Sequence, residues 1–121
     1  MDSPLCRQGR ENNLGRPWIG FDLDKTLAKM DSWRGFNYIG PPIPQMIMRL
    51  EMCLKQGHLC KIFTARAGDG PDAIRAIQIW LVKQGIPPLE VTNVKDHDME
   101  LLYDDKARGV IPNTGEVLSH A

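Results

Sequence analysis

No apolar run in this 121-residue sequence approaches the roughly 20 residues that a bilayer-spanning helix needs, so no membrane role is expected. Net charge is missing as well. Fifteen Lys and Arg cancel fifteen Asp and Glu, which removes the electrostatic ground for a general nucleic-acid or membrane-surface binder and leaves only the option of a local basic groove. Cysteine is scarce: Cys6, Cys53 and Cys60 are odd in number and form no CxxC pair, so free thiols in a reducing compartment are the simplest reading. His58, His97 and His120 include no pair at metal-ligand spacing. The polar stretch 1–16 has no signal-peptide core and reads as a mobile leader, which makes a cytoplasmic location the default expectation. What is present, 42% hydrophobic and 25% charged residues, suits a single globular domain over 17–121.

Trp18-Ile19-Gly20-Phe21 is a short apolar run that stops abruptly at Asp22, as a buried strand does. Residues 29–42 carry Trp33, Phe36 and Tyr38 among glycines and prolines and read as a loop or small flap. Pro44 suits a first helical turn, Ile43, Ile47, Leu50 and Leu54 follow at helical spacing, and Gly57 is placed to end that helix. A second strand is expected over 59–63, with Lys61 at its exposed end. A second helix starts at Asp69-Gly70-Pro71, with Ile74, Ile77, Trp80 and Leu81 as its apolar side and Gly85 beyond it. Strands over 91–94 and 101–103 follow, and Pro112-Asn113-Thr114-Gly115 marks a closing hairpin. Strands alternating with helices predict an α/β, Rossmann-like three-layer sandwich with a central, mainly parallel sheet and helices on both faces.

In such a sheet the carboxyl ends of all parallel strands share one edge, and ligands bind there. The residues at those ends are Asp22 and Asp24, Thr64 and Arg66, Lys95, and Asp104 and Asp105. Packed carboxylates repel, by about 1 kcal/mol per pair at about 4 Å in water and about 4 kcal/mol at an effective dielectric of about 20. Lys95 offsets part of this, and a hard divalent cation, Mg²⁺, with oxygen ligands would offset the rest.

Phe21-Asp22-Leu23-Asp24-Lys25-Thr26-Leu27 resembles the DxDxT signature of the haloacid dehalogenase (HAD) superfamily. Ile62-Phe63-Thr64 resembles its second motif, Lys95 stands where the third has Lys, and Leu101-Leu102-Tyr103-Asp104-Asp105 resembles the fourth, all in the family's order. The resemblance covers about residues 18–108 and implies a Mg²⁺-dependent phosphomonoester hydrolase. In it Asp22 is the nucleophile that becomes a phosphoaspartate, and Asp24 is the acid and then the base. Thr64 and Lys95 would serve the phosphoryl group. Asp22, Asp104, Asp105 and the backbone carbonyl of Asp24 would hold the metal, with the choice between Asp104 and Asp105 as direct ligand left open. With only 29–42 inserted after the first motif, the chain resembles a capless member with a short flap.

Lys25 departs from the family, many of whose members have Gly there, and is expected at the substrate entrance. Thr64-Ala65-Arg66 resembles the phosphatase domains of polynucleotide kinase-phosphatases, where an Arg lies near the substrate phosphate. The implied partner is therefore a phosphorylated small molecule or a nucleic-acid end. Taken without the family, Asp22-Leu23-Asp24 could open a calcium loop, but Leu27 and Trp33 stand where that loop needs Gly and Glu. Whether the flap aromatics stack on substrate or pack the flap down stays open. The rival function is a phosphate-binding or regulatory module without turnover.

Overall fold

The computed structural model describes residues 15–118, so Cys6, His120 and most of the stretch read as a leader lie outside the described residues. Arg16, read as part of that leader, donates a hydrogen bond to the Gly57 carbonyl at 2.8 Å.

β1 (Trp18–Phe21) is buried along its whole length as an inner strand, paired in parallel with β2 (Leu59–Phe63) on one side and β4 (Met99–Tyr103) on the other. β3 (Val91–Thr92) extends the sheet beyond β2, giving the order β3-β2-β1-β4, all parallel. α1 (Pro44–Lys55) joins β1 to β2, and α2 (Pro71–Lys83) joins β2 to β3 after a 3₁₀ turn over Ala65–Asp69. Both helices start at a proline, whose missing N–H costs nothing in the first turn. Gly57 and Gly85 follow them at φ of 88° and 79°, the left-handed conformation that lets the chain turn back into a strand. The α/β, Rossmann-like class read from the sequence is the class observed.

The layering differs from the expectation. Both helical connections step in the same direction across the sheet, so right-handed crossovers put both helices on one face. One continuous core results, in which Ile19, Phe21, Cys60 and Ile62 of the sheet meet Ile47 and Leu50 of α1 and Ile77, Trp80 and Leu81 of α2. From β3 to β4 the chain returns through residues 93–98 alone, too short a link to include the helix usual in a parallel crossover. Among the described residues no helix covers the far face, and a three-layer sandwich is not formed.

The buried indole of Trp18 closes that face instead. Its Nε1 donates to Asp96 Oδ1 at 2.7 Å, and the Lys61 ammonium lies 4.5 Å from its ring centroid. Lys61 is thus not at an exposed end: its stem lies across the sheet, and its ammonium stands 3.7 Å from Glu90. Gly20 makes room for this packing, since a Cβ there would fall 3.0–3.2 Å from Leu102, Trp18 and Met99 side chains. β3 is shorter than predicted because Asn93 and Val94 have already left the sheet, and β4 starts earlier, at Met99. The hairpin expected at the chain end is present as a Val110–Val117 antiparallel bridge with Asn113 at φ 65°.

Candidate active site

β1 ends in a tight loop. Its last strand bonds tie the Asp22 N–H to the Tyr103 carbonyl at 2.9 Å, and the chain then folds over the Leu23 carbonyl, which accepts from Thr26, Leu27 and Ala28 N–H groups. Leu23, Leu27 and Ala28 are fully buried and anchor the loop in the core. That leaves Asp22, Asp24 and Lys25 facing out of the sheet's carboxyl edge. Lys25 takes φ 70°, a backbone that a side chain rarely adopts, and its N–H donates to the Ala28 carbonyl at 2.7 Å.

β4 ends beside this loop, so Asp22, Asp104 and Asp105 offer carboxylate oxygens within 4.8 Å of one another. Thr26 knits them together. Its hydroxyl lies 3.3 Å from Asp22 Oδ2 and 3.4 Å from Asp105 Oδ1, able to donate to one of them, and it accepts from the Asp105 N–H at 3.2 Å. Burial, followed by the contact with Asp105 and the charge of Asp104, raises the Asp22 carboxyl from 3.8 to about 7. A divalent cation among these oxygens would relieve that strain, and a hard, oxygen-loving ion such as Mg²⁺ suits the donor set. Thr26 is the residue that the sequence reading left without a role, although it closes the DxDxT motif in plain view.

The Asp24 side chain does not belong to that group. Its two oxygens accept from Arg66 Nε and NH2, both at 2.8 Å, in the forked geometry that guanidinium and carboxylate share. Arg66 is 4% exposed, and its NH1 also donates to the carbonyls of Tyr38 at 2.9 Å and Phe36 at 3.3 Å. Most of its donors are thereby spent on Asp24 and the flap, not held open for a phosphate. The Trp33 ring lies over the same guanidinium, 4.7 Å from centroid to Cζ.

Thr64 is 4% exposed just beyond the end of β2. Its hydroxyl accepts the Arg66 N–H at 3.2 Å, capping the 3₁₀ turn, and its own proton has no acceptor among the described residues. The flap, 29–42, hangs from a narrow neck where Lys29 N–H meets the Pro41 carbonyl and Ile43 N–H meets the Leu27 carbonyl, at 2.8 and 2.7 Å. Gly40 is required in that neck because a Cβ would run into the Lys29 carbonyl oxygen. The Gly40 carbonyl in turn accepts from Trp80 Nε1 at 3.0 Å, tying the flap to the core.

Asp22, Asp24, Lys25, Thr64, Arg66 and Asp104 line one cleft of about 710 Å³, whereas Asp105 and Thr26 are not part of its lining. Trp33, one of the flap aromatics whose role the sequence leaves open, also lines it, as do Asn93 and Lys106, which the strand ends do not point to. Lys95 does not line it. It is exposed on the return 93–98, whose next residue, Asp96, already lies at the Trp18 indole near the opposite end of the strands. His97 is exposed on the same return and is likewise no part of the lining. A larger hollow of about 940 Å³ between α1 and β4 contains none of these site acids. Cys60 is buried, and burial pushes its thiol up to about 12, which suits a packing role and not a nucleophile.

No family model and no curated protein matches the sequence. Among solved structures, a conserved protein coded by a locus from Bacteroides thetaiotaomicron is similar in fold. It has a TM-score of 0.58 and 18% identity over 82% of this chain and 84% of that one.

Proposed function

We propose that the chain is a Mg²⁺-dependent phosphomonoester hydrolase of the HAD type that works through a phosphoaspartate on Asp22. The observation that carries this reading is the meeting of Asp22, Asp104 and Asp105 oxygens within 4.8 Å at the carboxyl edge of a parallel sheet. The order of motifs in the sequence supports it, as does the Thr64 hydroxyl in the same cleft.

Asp22, Asp104 and Asp105 would hold the cation, which when bound supplies positive charge to the phosphoryl oxygens. Asp22 forms a bond to phosphorus as the bond to the ester oxygen breaks, and the leaving alcohol takes a proton. Water then attacks the phosphorus, the bond to Asp22 breaks, and the water proton passes to the base, which frees phosphate and the Asp22 carboxylate. Asp24 is the proton carrier in this scheme, and it must give up part of its hold on Arg66 to reach the ester oxygen. Thr64 donates to a phosphoryl oxygen. Lys106 and Lys25, which line the cleft, replace Lys95 as the cations nearest the phosphate. A phosphorylated nucleotide or nucleic-acid end is the substrate class to try first.

The doubly engaged Asp24 carboxylate favours a second reading, a phosphate-binding module without turnover. Release of phosphate from p-nitrophenyl phosphate decides between them. Mg²⁺-dependent release that disappears in Asp22→Asn upholds the hydrolase; binding of phosphate without release upholds the module.

A further inference from the structure

We propose that Trp33 is a stacking platform that selects phosphomonoesters carrying a nucleobase, an inference that rests on the acid cluster being where the phosphate sits. Trp18 and Trp80 are 1% and 8% exposed, as core indoles are, but Trp33 is 54% exposed. It is nevertheless held in place. One face of its ring lies 4.7 Å from the Arg66 guanidinium, which is itself locked by hydrogen bonds to Asp24, Phe36 and Tyr38. With one face of the ring backed by a fixed cation and the residue as a whole more than half exposed, the other face is left for a ligand, and Trp33 lines the cleft that contains Asp22 and Asp104. The contact with Arg66 uses one face of the ring only, and the neck and the Trp80–Gly40 hydrogen bond fix the flap without Trp33.

A rigid indole face prefers a flat π-system. The rest of the lining points to a base over a phenyl ring. Asn93 is exposed just beyond β3 and lines the cleft, and its side chain has no hydrogen-bond partner among the described residues. A side-chain amide of this kind matches the donor and acceptor edge of a base such as adenine, and a phenyl ring has no such edge. Lys25 and Lys106 border the same space with positive charge for the phosphate. The cleft's volume of about 710 Å³ accommodates a nucleotide. The chemistry shared by a free mononucleotide and a phosphorylated strand end, a phosphate one sugar away from a base, is what the site takes.

The test is calorimetric titration of the full chain carrying Asp22→Asn, with Mg²⁺, against adenosine 5′-monophosphate, ribose 5-phosphate, a 5′-phosphorylated oligonucleotide and a phosphotyrosine peptide. Adenosine monophosphate should bind about tenfold or more tightly than ribose 5-phosphate, the range stacking provides. Trp33→Leu should remove most of that preference and Trp33→Phe should keep part of it. Tryptophan emission should be quenched by the nucleotide only when Trp33 is present. An oligonucleotide that binds more tightly than the mononucleotide identifies a strand end as the source, and equal binding identifies the mononucleotide; both uphold the platform. Equal binding of adenosine monophosphate and ribose 5-phosphate overturns it, as does a preference that survives Trp33→Leu. A phosphotyrosine peptide that outbinds the nucleotide also overturns it. Phosphate release by the wild-type chain is scored separately. A Trp33-dependent preference without release removes the hydrolase and leaves the platform, and release without preference does the reverse.

Discussion

Stripping divalent cations and raising the pH from about 4 to about 8 should destabilise the wild-type chain, and the loss should be absent in Asp22→Asn. The Asp22 carboxyl rises from 3.8 in the unfolded chain to about 7 in the fold, chiefly through burial and then through Asp105 and Asp104. Between those values the folded state holds a proton that the unfolded state has released, so stability falls as pH rises. The contribution is intact below the unfolded value and gone once the pH passes the folded one. At about 1.4 kcal/mol per pKa unit the ceiling is about 4 kcal/mol. Asp22 is only half-buried, so solvent screening brings the expected loss to about 2 kcal/mol. For a chain of this size that is a fall in Tm of roughly 8 °C. Asp96 titrates with the opposite sign: the Trp18 indole lowers it, so its contribution is lost as pH falls, below the window in question. The assay is a set of thermal melts in EDTA and in saturating Mg²⁺ for wild type and Asp22→Asn. Mg²⁺ should flatten the wild-type slope and stabilise more at the alkaline end. Parallel slopes for the two proteins in EDTA, or equal stabilisation by Mg²⁺ at both ends, would refute the reasoning.

With p-nitrophenyl phosphate, Asp24→Asn should give a nitrophenol burst near one equivalent and then a steady rate slower by about 10²–10⁴-fold, because nitrophenolate leaves without an acid but water still needs a base. Loss of both phases would make Asp24 a structural partner of Arg66 alone. Arg66→Met should cost about 3 kcal/mol in urea denaturation by stranding the Asp24 carboxylate, and a loss below about 1 kcal/mol would mean that the pair is not stabilising. Lys106→Ala should lower kcat/KM more than Lys95→Ala, since only Lys106 lines the cleft; the reverse order in a steady-state assay would reinstate Lys95. Gly40→Ala should lower stability by at least about 1 kcal/mol by forcing the flap neck open, with the Trp80 indole N–H losing protection in hydrogen exchange.

The gathering of acids at one edge was legible because strand ends in a parallel sheet share that edge, and an apolar run that stops at an acid marks such an end. Asp22 and Asp104 could be placed that way, and Thr64 in the same manner. Lys95 could not. It reads as the residue after a strand over 91–94, but β3 ends at Thr92 and the chain has turned away into the return 93–98 before Lys95 is reached. Lys61 was misplaced for a different reason: alternation assigns a lysine to solvent, but here the far face of the sheet is covered by Trp18, and the lysine stem lies across it. Arg66 illustrates a third limit. Sequence identifies a cation near the site without saying whether its partner is a substrate or Asp24, because a carboxylate and a phosphate offer a guanidinium the same pair of oxygens. Thr26 was visible but idle until β4 brought Asp105 beside it.

The narrow neck under the flap has a consequence for how the molecule can be altered. Because residues 28, 29 and 27 are stitched to residues 42, 41 and 43, everything between is a closed loop whose ends are already joined before its contents matter. Lengthening such a loop is thermodynamically mild, about 0.6 kcal/mol for each doubling. Neither β1 nor the start of α1 would need to move. The neck is therefore a splice point at which an added segment can be grafted over the cleft, changing what reaches Asp22 while the sheet beneath keeps its register, as long as Phe36, Tyr38 and Gly40 keep the carbonyls that Arg66 and Trp80 bond.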